Sequence, residues 1–445
     1  MKSIWTDLKN PIPIKSINNP MKVDVAIIGG GMAGILTAYQ LRDSGLKVIV
    51  IEKNQVGQGI TGNTTAKITS QHGLIYQKLL KKSDLQTARQ YARYNEQAIK
   101  QYHDMIKKEH ISCHFEYQDA YLYDTNKKEA LQKEAKIAKA LGISADYIEH
   151  PSLPFATWGA AVFHNQAQFH PLEFLYTIGQ QLEIYQNTQA IEVKGETVTV
   201  LNRETRQSYA VTAKHIVVAT HYPFINLPGF YFLRIYQSSS YVLALKHAEP
   251  VNGMYRSATG NGYSLRNYED FLLFSGARHR TGVIPKESPY EALRRAVKEF
   301  YPKAIEVGHW SAEDCMPLRQ VPYIGYYTRF KNNLYISSGF QKWGMTSSMA
   351  GATLLANHIK ASGTLDTVFS PQNHSVKADF YPIAKNMTVT VKNLVLPGAS
   401  PRCSHLGCSL KWNPFDQTWD CPCHGSKYTK KGRNITNPAK KDLKL

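Results

Sequence analysis

Residues 23–52, VDVAIIGGGMAGILTAYQLRDSGLKVIVIE, leave this chain few ways to fold. Val23 to Ile28 is an apolar, β-rich run, and Ile35 to Leu41 continues at helical spacing before a second strand, KVIVIE. Between strand and helix stands Gly29-Gly30-Gly31-Met32-Ala33-Gly34. In such a unit Gly29 permits a tight turn, Gly31 lets the backbone approach a pyrophosphate, and Gly34 lets the helix pack close to the sheet. The helix start at Met32 and Ala33 offers unpaired N–H groups to phosphate oxygens. Glu52, at the end of the second strand and followed by Lys53, is placed to accept hydrogen bonds from ribose hydroxyls. A lone G-x-G-x-x-G means little, but strand, glycines, helix, strand and terminal acid together predict an α/β, Rossmann-like dinucleotide-binding domain.

The 445 residues accommodate two or three domains of ~150 residues each. A net charge of +19 is spread thinly: the longest basic runs are pairs such as Lys81–Lys82, so no nucleic-acid partner is expected. The N-terminal MKSIWTDLKNPIPIKS lacks the apolar core of a secretory signal. The longest charge-free apolar stretch, Val25 to Leu41, is broken by glycines and falls short of the ~20 residues that span a bilayer. A cytoplasmic location is expected, with peripheral membrane contact left open. Cys113 and Cys315 are expected to be buried and reduced.

The middle of the chain predicts a helical stripe over 78–110 (Leu85, Ala88, Ala92, Ile99, Tyr102, Ile106) and a helix over 127–142. ETVTVLN, SYAVTA, SSSYVLAL and DFLLFSG read as strands with the alternation of an antiparallel sheet. A second, sheet-based substrate domain inserted into the first fits this interleaving.

Four of the six cysteines lie in the last 45 residues, in CSHLGC (403–408) and WDCPCHGSKY (419–428). The pattern C-x-H (Cys403, His405) with C-x-x-H (Cys421, His424) supplies two thiolates and two imidazoles. That is the inventory of a Rieske [2Fe–2S] centre. Zinc is the rival, but it usually takes C-x₂₋₄-C pairs, and the single residue between Cys421 and Cys423 suits it poorly.

Two resemblances sharpen these readings. VGQGITGNTTAKITSQHG (56–73) resembles the second phosphate loop of the D-amino-acid oxidase and glycine oxidase superfamily. HIVVATHYPF (215–224) is similar to its strand returning to the cofactor, and WSAEDCMPLRQVPYIG (310–325) to the segment before its late loop. SSGFQKWGMTSSMAGATLLA (337–356) resembles that late loop and helix, whose N-terminus faces the flavin ring. The resemblance implies FAD, held also by Thr61, Thr64, Thr65, Ala66, Lys67, Ala219, Thr220, Gly339, Lys342, Gly344, Met345 and Thr346. Lys342 stands where many members carry glycine, and a cation there would offset negative charge on a reduced flavin. Such enzymes position a substrate while the flavin takes the hydride. A carboxylate-bearing substrate calls for an Arg fork; the candidates are Arg266, and Arg278 or His279. Trp343 is expected over the ring, with His72 facing the flavin.

The tail resembles both cluster-binding loops of Rieske proteins, which implies Cys403, His405, Cys421 and His424 as ligands. In the quinol-oxidising members, cysteines at the positions of Cys408 and Cys423 are bridged, implying a disulfide here. Ser426 and Tyr428 match hydroxyls of high-potential members, implying a potential in the upper half of the roughly −150 to +300 mV Rieske range. Few strand residues precede Cys403, with MTVTVKNLVLPG (387–398) expected to supply one or two strands. The small all-β Rieske domain therefore looks abbreviated, and its missing wall is expected from the flavin domain.

The expected division is 1–362 as the FAD-dependent oxidoreductase with its inserted antiparallel-sheet substrate domain, 363–384 as linker, and 385–445 as the Rieske domain. The expected function is oxidation of an amine or amino-acid-like small molecule. Electrons would pass singly from FAD to the cluster, then from its exposed histidine side to an external acceptor, a protein or quinone. Nine Lys/Arg against three Asp/Glu in 401–445 favour an acidic protein. The alternatives are an oxidase using O₂ with a structural cluster, and a non-catalytic redox sensor or electron carrier.

Overall fold

The computed structural model of the protein describes residues 3–373, 376–395 and 400–444. The glycine-rich segment forms the expected unit: strand Met21–Ile28, helix Met32–Leu41 and strand Val48–Ile51, with the two strands parallel. Gly29 sits at φ +118°, and a Cβ on Gly34 would lie 1.9 Å from the Gly29 carbonyl oxygen, so only glycine allows the helix this close to the turn.

Around this unit runs an eight-stranded sheet. Its parallel centre places Lys331–Ser338, Ser208–Val218, Met21–Ile28, Val48–Ile51 and Ile184–Tyr185 side by side. The segments read separately as SYAVTA and HIVVAT are one strand, Ser208–Val218, whose first half pairs antiparallel with Thr197–Asn202. Both belong to this sheet, not to the inserted one. Helices Leu85–Lys108 and Gly344–Ala361 pack with Met32–Leu41 on one face, in the largest apolar core. Asp84 caps the long helix by accepting from the Thr87 N–H at 2.7 Å.

The second sheet has nine strands and is largely antiparallel. Ile305–Pro317, Ile235–Lys246, Phe271–Arg280, Ser264–Tyr268 and Met254–Ser257 follow in order, then Glu116–Tyr123 and Ala160–Gln168. The amphipathic helix Pro289–Phe300 covers part of it, burying Tyr290, Leu293, Ala296 and Val297.

The third sheet is a small antiparallel one, Lys411–Asn413, Thr418–Asp420 and Lys427–Thr429. The residues before it correct the sequence reading. Val376–Val395 is a helix, which crosses the expected linker and occupies most of MTVTVKNLVLPG; residues 396–398 of that stretch lie outside the described residues. Period two fails because the buried residues, Asn386, Thr390 and Asn393, repeat at helical spacing. Asn386 ties the helix down, donating to the Leu233 carbonyl at 3.2 Å and accepting from Arg280 Nη2 at 2.6 Å. Met387 and Val391 face outward, so alternation of Thr and Val did not mark a strand. Among the described residues no helix is long and apolar enough to cross a membrane.

Candidate functional site

One deep cavity opens between the two large sheets, at the carboxyl ends of the parallel strands, where dinucleotides bind in such folds. Its walls bring together Gly29, Gly31, Met32, Ala33, Glu52, Lys53, Thr61, Thr64, Thr65, Lys67, Ala219, Thr220, Lys342, Trp343, Gly344 and Met345. Gly34, Ala66, Gly339 and Thr346 lie outside the lining: Gly34 under the turn, Ala66 and Thr346 buried behind the wall. Gly31 caps the first helix without a side-chain hydrogen bond, but the Met32 N–H expected to be free donates to Thr61 Oγ1 at 3.2 Å. The half-buried Glu52 carboxyl accepts from Gly30 N at 2.7 Å and Asn54 N at 2.8 Å, while loss of solvation raises its pKa. Helix Gly344–Ala361 also points an uncapped N-terminus at the cavity. Helix starts without capping side chains, a half-buried acid and a glycine turn suit a pyrophosphate, a ribose and a ring carrying oxygen acceptors.

Two expected substrate contacts are not there. Arg266 is fully buried outside the cavity, donating to the Ala66 carbonyl at 2.8 Å and lying over Trp5 and Tyr268. It props the second phosphate loop from behind, because its strand turns that side chain into the core. His279 is held by the Tyr241 hydroxyl at 2.9 Å, stacks on that ring and stays out of the lining. Trp343 does line the cavity, but His72 stacks behind it at 4.5 Å rather than facing the cavity itself. The guanidinium groups that do reach the cavity are Arg256 and Arg278, and among the described residues neither forms an ion pair. Arg256 lies over the Trp343 ring at 4.8 Å, and burial lowers its pKa to about 10. Its signal was its place in a strand two residues after Met254, with the same facing as Met254; which face meets a cavity is a tertiary fact. Lys342 is ion-paired with Asp314 and donates to Ser240 at 2.7 Å, so its charge is already compensated.

The cysteine and histidine residues of the tail converge beside this cavity. Cys403 and Cys421 are free and buried, their thiols in contact, while Cys408 and Cys423 form a disulfide. The sulfurs of Cys408, Cys421 and Cys423 lie within 4.8 Å of one another, but the disulfide leaves only Cys421 of the three able to give a thiolate. The rings of His405 and His424 stand 5.0 Å apart at 88°. Asn226 holds His405 Nε2 at 2.7 Å, while its Nδ1 and both nitrogens of His424 are buried with no hydrogen-bond partner. Burial lowers the pKa of His405 to about 4 and of His424 to about 3, keeping both neutral as metal ligation requires. Contact with Cys421 leads the causes that lower the Cys403 thiol to about 6, and the Tyr428 hydroxyl lies 3.3 Å from its sulfur. Two thiols and two imidazoles with unpartnered ring nitrogens, meeting in one place, fit an iron–sulfur cluster.

The histidine side is open only at His405, which keeps partial exposure. His424 is 1% exposed, packed against Phe232 at 5.9 Å and Tyr222 at 6.5 Å, with Phe232 also at 6.3 Å from His405. The flavin-side segment 222–237 covers it and supplies the wall the short module lacks. Arg280 donates to the carbonyls of Pro422 at 3.1 Å and Cys423 at 2.8 Å. Lys427 reaches Glu313 and Asp416, each at 2.8 Å, and Ser311 donates to Asp416 at 3.0 Å. Burial opposes the Lys427 charge, but Glu313, Asp420 and Asp416 outweigh it and hold its pKa well above the ordinary value.

A dinucleotide cavity between a parallel and an antiparallel sheet, closed at one side by a cysteine–histidine module, defines a flavoprotein oxidoreductase with an appended iron–sulfur unit. The comparisons make this specific: residues 24–358 match the FAD dependent oxidoreductase family and residues 384–445 the Rieske [2Fe-2S] domain. The chain belongs to the FAD dependent oxidoreductase family, of the D-amino-acid oxidase type, and carries a Rieske domain; its cofactors are FAD and a [2Fe-2S] cluster. It is 34% identical to the Bacillus subtilis chain YhfW, named as a Rieske 2Fe-2S iron-sulfur protein, over all of this chain and 97% of that one. Gamma-glutamylputrescine oxidoreductase of Escherichia coli is 20% identical over 85% of this chain and 92% of its own. Glycine oxidase from Geobacillus kaustophilus shares the fold, with a TM-score of 0.65 and 15% identity over 80% of this chain and 99% of that one.

Proposed function

We propose that this enzyme oxidises a carbon–nitrogen bond in a small amine bearing a carboxylate, and that the electrons leave singly through the cluster to an external acceptor. When bound, FAD supplies two-electron acceptance and the cluster one-electron transfer. The backbone of Gly31 to Ala33 would hold the pyrophosphate, Glu52 the ribose, and the helix start at Gly344 the flavin ring. Cys403, Cys421, His405 and His424 would hold the irons. Arg256 and Arg278 would bind the substrate carboxylate, with Trp343 as the apolar floor. The activities in the names of two similar proteins, a gamma-glutamylputrescine oxidoreductase and a glycine oxidase, favour an amine or amino acid.

One observation carries the electron route. Ile435, Thr436 and Asn437, from the cluster module, form part of the wall of the flavin cavity itself. A cluster that served only structure would not need its own loop there. The test is anaerobic rapid mixing with a panel of amino acids and carboxylated amines. Flavin bleaching followed by the EPR signal of a reduced Rieske cluster is expected. Bleaching with a cluster that stays oxidised sinks the route, and a panel that bleaches nothing sinks the substrate class.

A further inference from the structure

His221 and Tyr222 follow the strand Ser208–Val218, and their side chains diverge. His221 lines the flavin cavity, whereas the Tyr222 ring packs on the ring of His424. Gln237, on strand Ile235–Lys246 of the second sheet, lies between these sites without lining the cavity. Its side-chain amide donates to the carbonyl of His424 at 2.9 Å and to that of Asn437 at 3.0 Å. A Cβ on Gly425 would meet Gln237 at 2.4 Å, so the module is pressed against this one side chain. Two buried polar atoms near it have no hydrogen-bond partner, Gln237 Oε1 and His221 Nε2, and the Gln237 amide is among the groups acting on His221. An imidazole N–H facing that amide oxygen would complete a chain from cavity wall to cluster loop.

We infer that Gln237 is the positioning residue that couples the two cofactors, locking the His424 loop and the Asn437 loop to the cavity wall beside His221. The inference rests on the electron route proposed above and names the device that makes it efficient. With both groups bound, each transfer would carry one electron from the reduced flavin to one ferric ion of the cluster. The flavin's proton would pass to water by the time both electrons have left, and a one-electron acceptor would restore the ferric state before the second transfer. Gln237 takes no part in that chemistry. Its two donated bonds fix a separation that a small module with three short strands cannot hold by itself.

The test uses holoenzyme carrying both cofactors, with the flavin reduced anaerobically by a 5-deazaflavin light flash, so no substrate need be known. Gln237→Leu is expected to keep its cluster, its flavin photoreduction and both midpoint potentials. Flavin-to-cluster transfer should slow about tenfold, the lower end of losses seen when a partner behind a metal ligand is removed. Gln237→Glu, which keeps the length but offers oxygen in place of N–H, should slow it similarly. Rates are taken per intact cluster by spin quantitation, so partial cluster loss does not blur the outcome. Transfer at the wild-type rate in both variants overturns the inference. Absence of transfer in the wild type overturns the route instead, and a slowed rate with shifted potentials overturns the positioning role.

Discussion

Around the flavin cavity the protein relies on its own mass: two large sheets, three helices and apolar clusters of dozens of residues position the cofactor loops. Around the cluster it has almost none. The module's core is Cys403, Cys408, Leu410, Cys421, Cys423, Tyr428 and Ala439, and four of those seven are cysteines. So small a unit needs staples. It has a disulfide, a predicted metal centre and a borrowed wall in which Arg280, Gln237 and the Lys427 network bind its loops to the larger body. The flavin site should therefore survive damage to the cluster site, with the reverse dependence much stronger.

The severest challenge to that asymmetry is Cys421→Ser. Iron and labile sulfide should fall to background while bound flavin stays near one per chain; joint loss of flavin would mean the two sites are one folding unit. Next comes Lys427→Met, which leaves Glu313, Asp416 and Asp420 buried without their cation. Breaking a buried pair this way costs about 3–5 kcal/mol. Cluster absorbance should bleach at a lower temperature than in the wild type, well before flavin is released. Within the cavity, Arg256→Met should raise KM for carboxylated amines about 10- to 100-fold, matching the 1.5–3 kcal/mol of hydrogen bonds to charged groups. Arg266→Met should lower Tm with KM unchanged, and equal KM effects would return Arg266 to the site.

The smallest effect is a pH dependence of the larger body. Burial lowers His72 to about 3, and His170 to about 4, below their ordinary value near 6.5. Inside the fold both stay neutral, while the unfolded chain binds protons first as pH falls. Their stabilising contribution is thus whole above pH 6.5 and is lost on acidification toward their folded values. The slope is at most about 1.4 kcal/mol per pH unit for each histidine. Thermal scans of His72→Gln should show a shallower acid decline than the wild type; an unchanged slope would remove His72 from the account.

Much of this was readable in residue order because the chemistry is local. The glycine turn, its helix and Glu52 fall within 30 residues, and a tight turn with φ > 0 at Gly29 leaves little choice of residue. The cysteine–histidine loops are local too. Which arginines reach the cavity was legible only in part. Arg278 was a candidate from residue order, but Arg256 and Arg266 sit on adjacent antiparallel strands in similar strand-like stretches, and only the fold tells the cavity-lining one from the buried one. Helix Val376–Val395 misled for a related reason: its polar residues are its anchored ones, so a pattern that assumes apolar burial points the wrong way.

By itself, residue order determined which cofactors this protein is built for, because turn geometry and metal-donor sets need particular side chains a few positions apart. Tertiary structure decided how the two sites meet: that His424 turns inward against Phe232, that Asn437 enters the cavity wall, and that Gln237 bonds to both loops. Those contacts span up to 200 positions of chain. They arise from strand order and from how three short strands dock on a larger sheet, which no local spacing encodes.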